Sequence, residues 1–184
     1  MDSDDSLIRK YLNGDSLAFS VLLERYVKSV YNFVFWFTHD AEMSEDIVQE
    51  TFVKIWKNLD KFQEDKLFKT WLFSVARNTS IDWLRKKKNV PFSDFDDESG
   101  ENSFEENIAD EDPGLIEKMM EDERREELID VVNKLEYKYK DIILLHIFEN
   151  LSFKEISEIL KRPVNTVKSQ YRRGSAVLKK YLSS

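Results

Sequence analysis

The sequence predicts an all-α protein built as two small helical domains joined by an acidic flexible linker, and three observations carry that prediction. Only four glycines and three prolines punctuate the chain, too few for the turns that strands and hairpins require. Apolar residues recur at helical spacing on both sides of the middle, as amphipathic helices demand. The middle itself is a run of acids with no basic residue. Length permits the division, because 184 residues are enough for one ordinary domain or two small ones.

Charge marks the boundaries. Residues 1–90 hold 14 Lys/Arg and 14 Asp/Glu, residues 91–127 hold 3 and 16, and residues 128–184 hold 11 and 6. The net charge of −8 is therefore concentrated in the centre. From Asn89 to Asp112 the acids are Asp94, Asp96, Asp97, Glu98, Glu101, Glu105, Glu106, Asp110, Glu111 and Asp112. Such a stretch repels itself and has little to bury, so residues 91–120 are expected to form a linker between an N-terminal helical bundle, 1–90, and a C-terminal helix-turn-helix bundle, 121–184. The alternative, a solvated loop on a single domain, is disfavoured because structureless loops of more than about 20 residues are uncommon in compact folds.

Composition also excludes function classes. With no cysteine in the chain there are no disulfides, no Cys-ligated zinc and no thiol nucleophile. His39 and His146 have no metal-ligand spacing. Neither a Gly-rich phosphate loop nor a two-His-plus-carboxylate pattern is present, so no catalytic residue, metal, cofactor or small-molecule substrate is expected. The acidic start, Met1 to Ser6, is unlike a signal peptide. No apolar run approaches the roughly 20 residues that span a bilayer. A cytoplasmic protein is expected.

The N-terminal part begins with helical spacing from Leu7 to Phe19, continuing through Val21, Leu22, Tyr26, Val30, Tyr31, Phe33 and Val34 to a break near Thr38–Asp40. The next helix carries an apolar stripe of Ile47, Val48, Thr51, Phe52, Ile55, Trp56 and Leu59. Its other face holds Asp46, Gln49, Glu50, Lys54 and Lys57, which periodicity alone reads as solvated. The following stretch is more basic: from Lys66 to Lys88 stand Lys66, Lys69, Arg77, Arg85, Lys86, Lys87 and Lys88 against the single acid Asp82. Arg77, Asn78 and Arg85 are expected to share one helical face, with Leu72, Val75, Ala76, Thr79 and Trp83 inward. Cations beside aromatics suit single-stranded nucleic acid, where charges track phosphates and rings stack on unpaired bases. Trp71 and Phe73 as core residues, with the terminal Arg-Lys-Lys-Lys complementing a helix C-terminus, is the other reading, and both can hold together.

Near the C-terminus, Ser152 followed by Glu155 makes a capping box that starts a helix. Phe153, Ile156, Ile159 and Leu160 form its stripe, and Pro163 biases Arg162 away from helix. A second helix then runs from about Asn165 to Leu182, with Val167, Tyr171, Gly174, Leu178 and Tyr181 or Leu182 inward. Two helices across a tight turn make a helix-turn-helix, whose second helix enters the major groove. Asn165, Lys168, Ser169 and Arg172 share its exposed face. Between Lys161 and Lys180 there are seven basic residues and no acid, which favours DNA over a merely solvated basic hairpin. His146 is expected to be a structural or surface histidine, not a base.

Three segments in order resemble the extracytoplasmic-function, or group IV, sigma factors of the sigma-70 family. Ser44-Glu-Asp-Ile-Val-Gln-Glu-Thr-Phe-Val-Lys-Ile-Trp56 is similar to the core-polymerase-binding helix of the second conserved region. Trp71-Leu-Phe-Ser-Val-Ala-Arg-Asn-Thr-Ser-Ile-Asp-Trp-Leu-Arg85 is similar to the minus-ten helix. Tyr139-Lys-Asp-Ile-Ile-Leu-Leu145, Leu151-Ser-Phe-Lys-Glu-Ile-Ser-Glu-Ile-Leu160 and Thr166-Val-Lys-Ser169 resemble the fourth region, which reads the minus-thirty-five element.

The resemblance implies a factor that brings core RNA polymerase to double-stranded promoter DNA with a melted minus-ten element. It implies polymerase contacts at Asp46, Gln49, Glu50, Phe52 and Val53. Minus-ten contacts are implied at Lys66, Phe68, Lys69, Trp71, Arg77, Asn78, Arg85 and Lys86, with capture of a flipped base by the loop from Phe62 to Lys69. Minus-thirty-five contacts are implied at Lys154, Asn165, Thr166, Lys168, Ser169, Arg172 and Arg173. An anti-sigma factor is the expected regulatory partner, and the acidic linker resembles the element that threads the polymerase channel. Two departures stand out: Gln170 occupies a position where the family often has Arg, and Gly174 lies mid-helix at a cost of about 1 kcal/mol relative to Ala. A self-sufficient helix-turn-helix regulator is the rival reading. It would need strong electrostatic affinity of its own, which an acidic protein is poorly equipped to supply.

Overall fold

The computed structural model describes residues 2–63, 66–88, 95, 131–132 and 134–182. Among these, all regular elements are helical. The chain forms two compact units, Met1–Val90 and Pro91–Ser184.

The first unit contains α1 (Asp4–Leu12), α2 (Ser16–Thr38), α3 (Ala41–Asn58), a 3-10 turn (Leu59–Lys61) and α4 (Phe68–Lys88). The apolar spacing that runs through Leu7 and Phe19 conceals a break between two helices. Gly14 takes φ +100°, a left-handed conformation that suits glycine, and Asp15 then caps α2 by accepting from the Leu17 amide at 3.1 Å. His39, at φ 50°, ends α2 in the left-handed region, and Asp40 starts α3 by accepting from the Met43 amide at 3.0 Å. Helix α2 packs on α1, α3 and α4, and α3 on α4. Their shared core includes Leu22, Phe33, Phe37, Ile47, Ile55, Leu72 and Phe73, all nearly inaccessible. Phe33 meets Phe73 edge-on at 5.3 Å. Burial of such side chains stabilises by roughly 1.5–3 kcal/mol each.

Trp56 departs from the expected stripe. At about 100° per residue it lies about 180° round the helix from Ile47, and it is 51% exposed, its indole N–H donating to the Tyr11 hydroxyl at 2.5 Å.

In the second unit, α5 (Tyr137–Ile143) runs into a π-type turn (Leu144–Phe148), followed by α6 (Phe153–Leu160) and α7 (Val164–Leu182). The capping box at α6 is complete: the Ser152 hydroxyl accepts from the Glu155 amide at 3.3 Å, and the Glu155 carboxylate accepts from the Ser152 amide at 2.6 Å. Lys161, at φ 54°, ends α6. Ile156, Ile159, Leu160, Val167 and Leu178 are buried, whereas Tyr181 is exposed. His146 is structural: Nδ1 lies 2.7 Å from the Leu151 carbonyl, and the ring stacks on Phe153 at 4.3 Å.

Gly174 has a packing role. A Cβ there would sit 3.2 Å from Tyr139 Cβ and 3.5 Å from Ile143 Cγ1, so its absence lets α7 approach α5 closely. Most of the expected linker, 91–120, lies outside the described residues. Phe95 does not, and it corrects the expectation that this stretch has little to bury. Its ring is 1% exposed and packs on Tyr137 at 4.6 Å, and its carbonyl accepts from the Arg162 guanidinium.

Candidate nucleic-acid interface

On α3 the residues opposite the core are Asp46, Gln49 and Val53, all exposed. Phe52 is not among them. At 7% exposure it belongs to the core, because one residue of helix advance carries it about 100° from the outward Val53. Of the five residues for which the resemblance implies polymerase contacts, Phe52 is thus the one on the core side of α3. Glu50 is half-buried and faces α4: its two oxygens accept from Trp83 Nε1 at 2.7 Å and pair with Lys54 Nζ at 2.8 Å. These partners, Lys54 first and Trp83 second, hold its carboxyl below the ordinary range.

Helix α4 separates residues that the sequence had grouped. Arg77 is 4% exposed, lying four residues after buried Phe73 and four before buried Ile81, on the inward side. It therefore does not share a face with Asn78 and Arg85, which are exposed together with Lys86. Phe68 is also turned inward: it is 2% exposed and packed among Tyr26, Phe62 and Trp71 at 5.7, 5.8 and 5.9 Å. Lys66 is exposed and Lys69 half-buried, its ammonium 5.7 Å from the Phe73 ring. Trp71, half-buried, leans on Phe62 at 5.3 Å with 31° between the planes.

Beside Trp71 is a cavity of about 400 Å³, lined by Lys54, Asn58, Lys61, Phe62, Gln63, Lys66, Trp71 and Val75. Lysines and two aromatic rings in one lining suit a base with its phosphate, although the ammonium of Lys54 is itself engaged by Glu50 and the Thr79 hydroxyl. Lys66 and Trp71 were legible as candidates, and Phe62 as part of the loop. Lys54, Asn58 and Lys61 were not, because they reach the cavity from the far end of α3 and the turn after it. Asn58 is oriented by its amide donating to the Lys54 carbonyl at 2.8 Å, while Lys61 Nζ approaches its oxygen at 3.4 Å.

In the second unit, Asn165, Lys168 and Arg172 are exposed along α7, Lys154 is exposed at the start of α6, and Thr166, Ser169 and Arg173 are half-buried. Ser169 donates to the Thr166 carbonyl at 2.9 Å. Gln170 is buried and accepts from Arg162 at 3.0 Å. Its difference from the arginine common in the family therefore falls on the inward side of α7. Among the described residues no group of His, Asp and Glu could hold a metal ion, and no helix is long and apolar enough to cross a membrane.

Comparison with known proteins follows the same division. Residues 22–90 match the family model for sigma-70 region 2, and residues 125–178 match that for sigma-70 region 4. The chain is 32% identical over 179 residues to the ECF RNA polymerase sigma factor SigW of Bacillus subtilis, covering 95% of this chain and 94% of the relative. It is 31% identical over 172 residues to the ECF RNA polymerase sigma-E factor of Escherichia coli K12, covering 93% and 90%. Among solved structures, CnrH in complex with the cytosolic domain of CnrY superposes with a TM-score of 0.70 at 22% identity, covering 99% of this chain and 98% of that one. The sigma factor RpoE of Bartonella quintana, in complex with the anti-sigma factor NepR, gives 0.67 at 22% identity, with 90% and 96% covered.

Proposed function

We propose a division of labour within this chain, which belongs to the extracytoplasmic-function sigma factors of the sigma-70 family, directs RNA polymerase to promoters and has no catalytic centre of its own. Asp46, Gln49 and Val53 form the docking face for core polymerase. Asn78, Arg85 and Lys86, with the cavity beside Trp71, receive the melted minus-ten strand. Asn165, Lys168 and Arg172 enter the major groove at the minus-thirty-five element, with Lys154, Thr166, Ser169 and Arg173 around them.

The observation that carries this reading is the exposed arc of Asn165, Lys168 and Arg172 on α7, presented by a helix-turn-helix whose first helix is held by a complete capping box. A recognition helix needs such an arc, because base edges are read by side chains near its N-terminal half. The cavity supports a second element. Extruding a base from the stack costs a few kcal/mol, and a cavity lined by aromatic rings and lysines offsets that cost. The protein works in the cytoplasm, where its polymerase is. An anti-sigma factor is its regulatory partner, by relationship to the sigma factor solved with NepR.

Run-off transcription on genomic fragments, with core polymerase and the purified chain, tests the reading. Defined transcripts are expected that core polymerase alone does not produce. Asp46→Arg should abolish them and lower capture of core polymerase at least tenfold while leaving the helical circular dichroism unchanged. Undiminished capture would remove Asp46 from the docking face.

A further inference from the structure

Glu50 stands on the polar side of α3, yet one oxygen of its carboxylate reaches across to α4. One oxygen accepts from Trp83 Nε1 at 2.7 Å and the other pairs with Lys54 Nζ at 2.8 Å. Lys54 is itself tied to α4, donating to the Thr79 hydroxyl at 3.1 Å. Thr79 in turn donates to the Val75 carbonyl at 2.8 Å, which fixes its rotamer. Over the face of the same indole, the Lys87 ammonium lies 4.6 Å from the Trp83 ring centroid, a cation–π distance. The chain of contacts thus starts beside the docking face and ends among the exposed cations of α4.

We propose that Glu50 is a positioning residue for promoter binding: through its bond to Trp83 it sets the ring on which Lys87 rests, and so places that ammonium toward the minus-ten backbone. The charge geometry supports this. Lys54 already neutralises the Glu50 carboxylate, so it attracts a polymerase cation less strongly, and an indole whose N–H is hydrogen-bonded favours one orientation of its ring. An ammonium seated on a fixed ring is already placed for a phosphate, so less ordering remains when DNA binds.

The inference rests on α4 facing the minus-ten strand, and the experiment separates the two. Reconstituted holoenzyme is titrated with a promoter fragment recovered by run-off transcription, its minus-ten segment left unpaired, and core-polymerase affinity is measured on the same variants. Glu50→Ala and Trp83→Phe should each weaken DNA binding about fivefold, the effect of one lost hydrogen bond. The double variant should be no weaker than either alone, as for two partners in one contact. Glu50→Gln, which keeps an acceptor for the indole, should stay within about twofold of the parent, and core affinity should be unchanged throughout. Trp83→Phe keeps an aromatic ring, so it remains informative should Glu50→Ala fail to fold. A fall in core affinity for the Glu50 variants, additive losses, or a Gln variant as weak as Ala each overturns the proposal. Lys86→Ala is the control: a loss there with none at Glu50 sinks the positioning role alone, and no loss in either sinks the assignment of α4.

Discussion

Lys140 is 3% exposed on α5, and burial pushes its ammonium down to about 8 from the ordinary 10.5. Its ammonium lies 5.4 Å from the Tyr137 ring. In the unfolded chain the same group keeps its proton to about 10.4. Between these values the unfolded state binds more protons, so stability rises with pH; below the folded value the full cost of a buried charge is present. From pH 7 to 9.5 the second unit should gain about 2 kcal/mol from this group. Lys140→Met should be more stable at pH 7 and lack that gain. All four tryptophans, Trp36, Trp56, Trp71 and Trp83, lie in the first unit, so a urea transition seen by circular dichroism and silent in indole fluorescence reports the second. Equal pH dependence in both proteins would show that Lys140 sheds its charge penalty in some other way. Single residues were also where sequence reading was weakest. Arg77 and Asn78 are neighbours, and only the packing of α4 decides that the first is buried and the second exposed.

Helices were legible where their ends are chemically marked. Ser152 and Glu155 announce α6 because a cap is a local bond between near neighbours. The Asn13–Asp15 break was hidden by apolar spacing that continues across it, although Gly14 and Asp15 were its stop and start signals. Gly174 shows an element-scale conflict. Intrinsic helix preference favours alanine there by about 1 kcal/mol, but the added Cβ would lie 3.2 Å from Tyr139 Cβ, an atom anchored directly on the α5 backbone. Overpacking of this kind costs about 1–3 kcal/mol. Gly174→Ala should therefore lower the stability of the second unit by about 1 kcal/mol in the same urea experiment. A stabilised variant would mean that α5 yields and that the glycine is replaceable.

At the scale of the whole molecule, a chain of net charge −8 carries cationic faces on α4 and α7 and works together with polymerase. Alone, it should bind a cognate duplex only in the weak non-specific range at physiological salt, with Kd about 10⁻⁴–10⁻⁶ M. Within holoenzyme, Arg172→Ala should cost about 1–3 kcal/mol and relax specificity at one position of the minus-thirty-five element. A loss spread evenly over all sequences would place Arg172 on phosphate instead. The sequence by itself determined the helical class, the marked helix ends, the partition of charge and the family motifs, because each is a property of residues close together in the chain. Only the tertiary structure decided that Phe52, Phe68 and Arg77 turn inward, that Glu50 reaches Trp83 33 positions away, and that the end of α3 walls the cavity beside Trp71. Those outcomes depend on which distant segments pack together, and a helical period specifies a face without saying what will cover it.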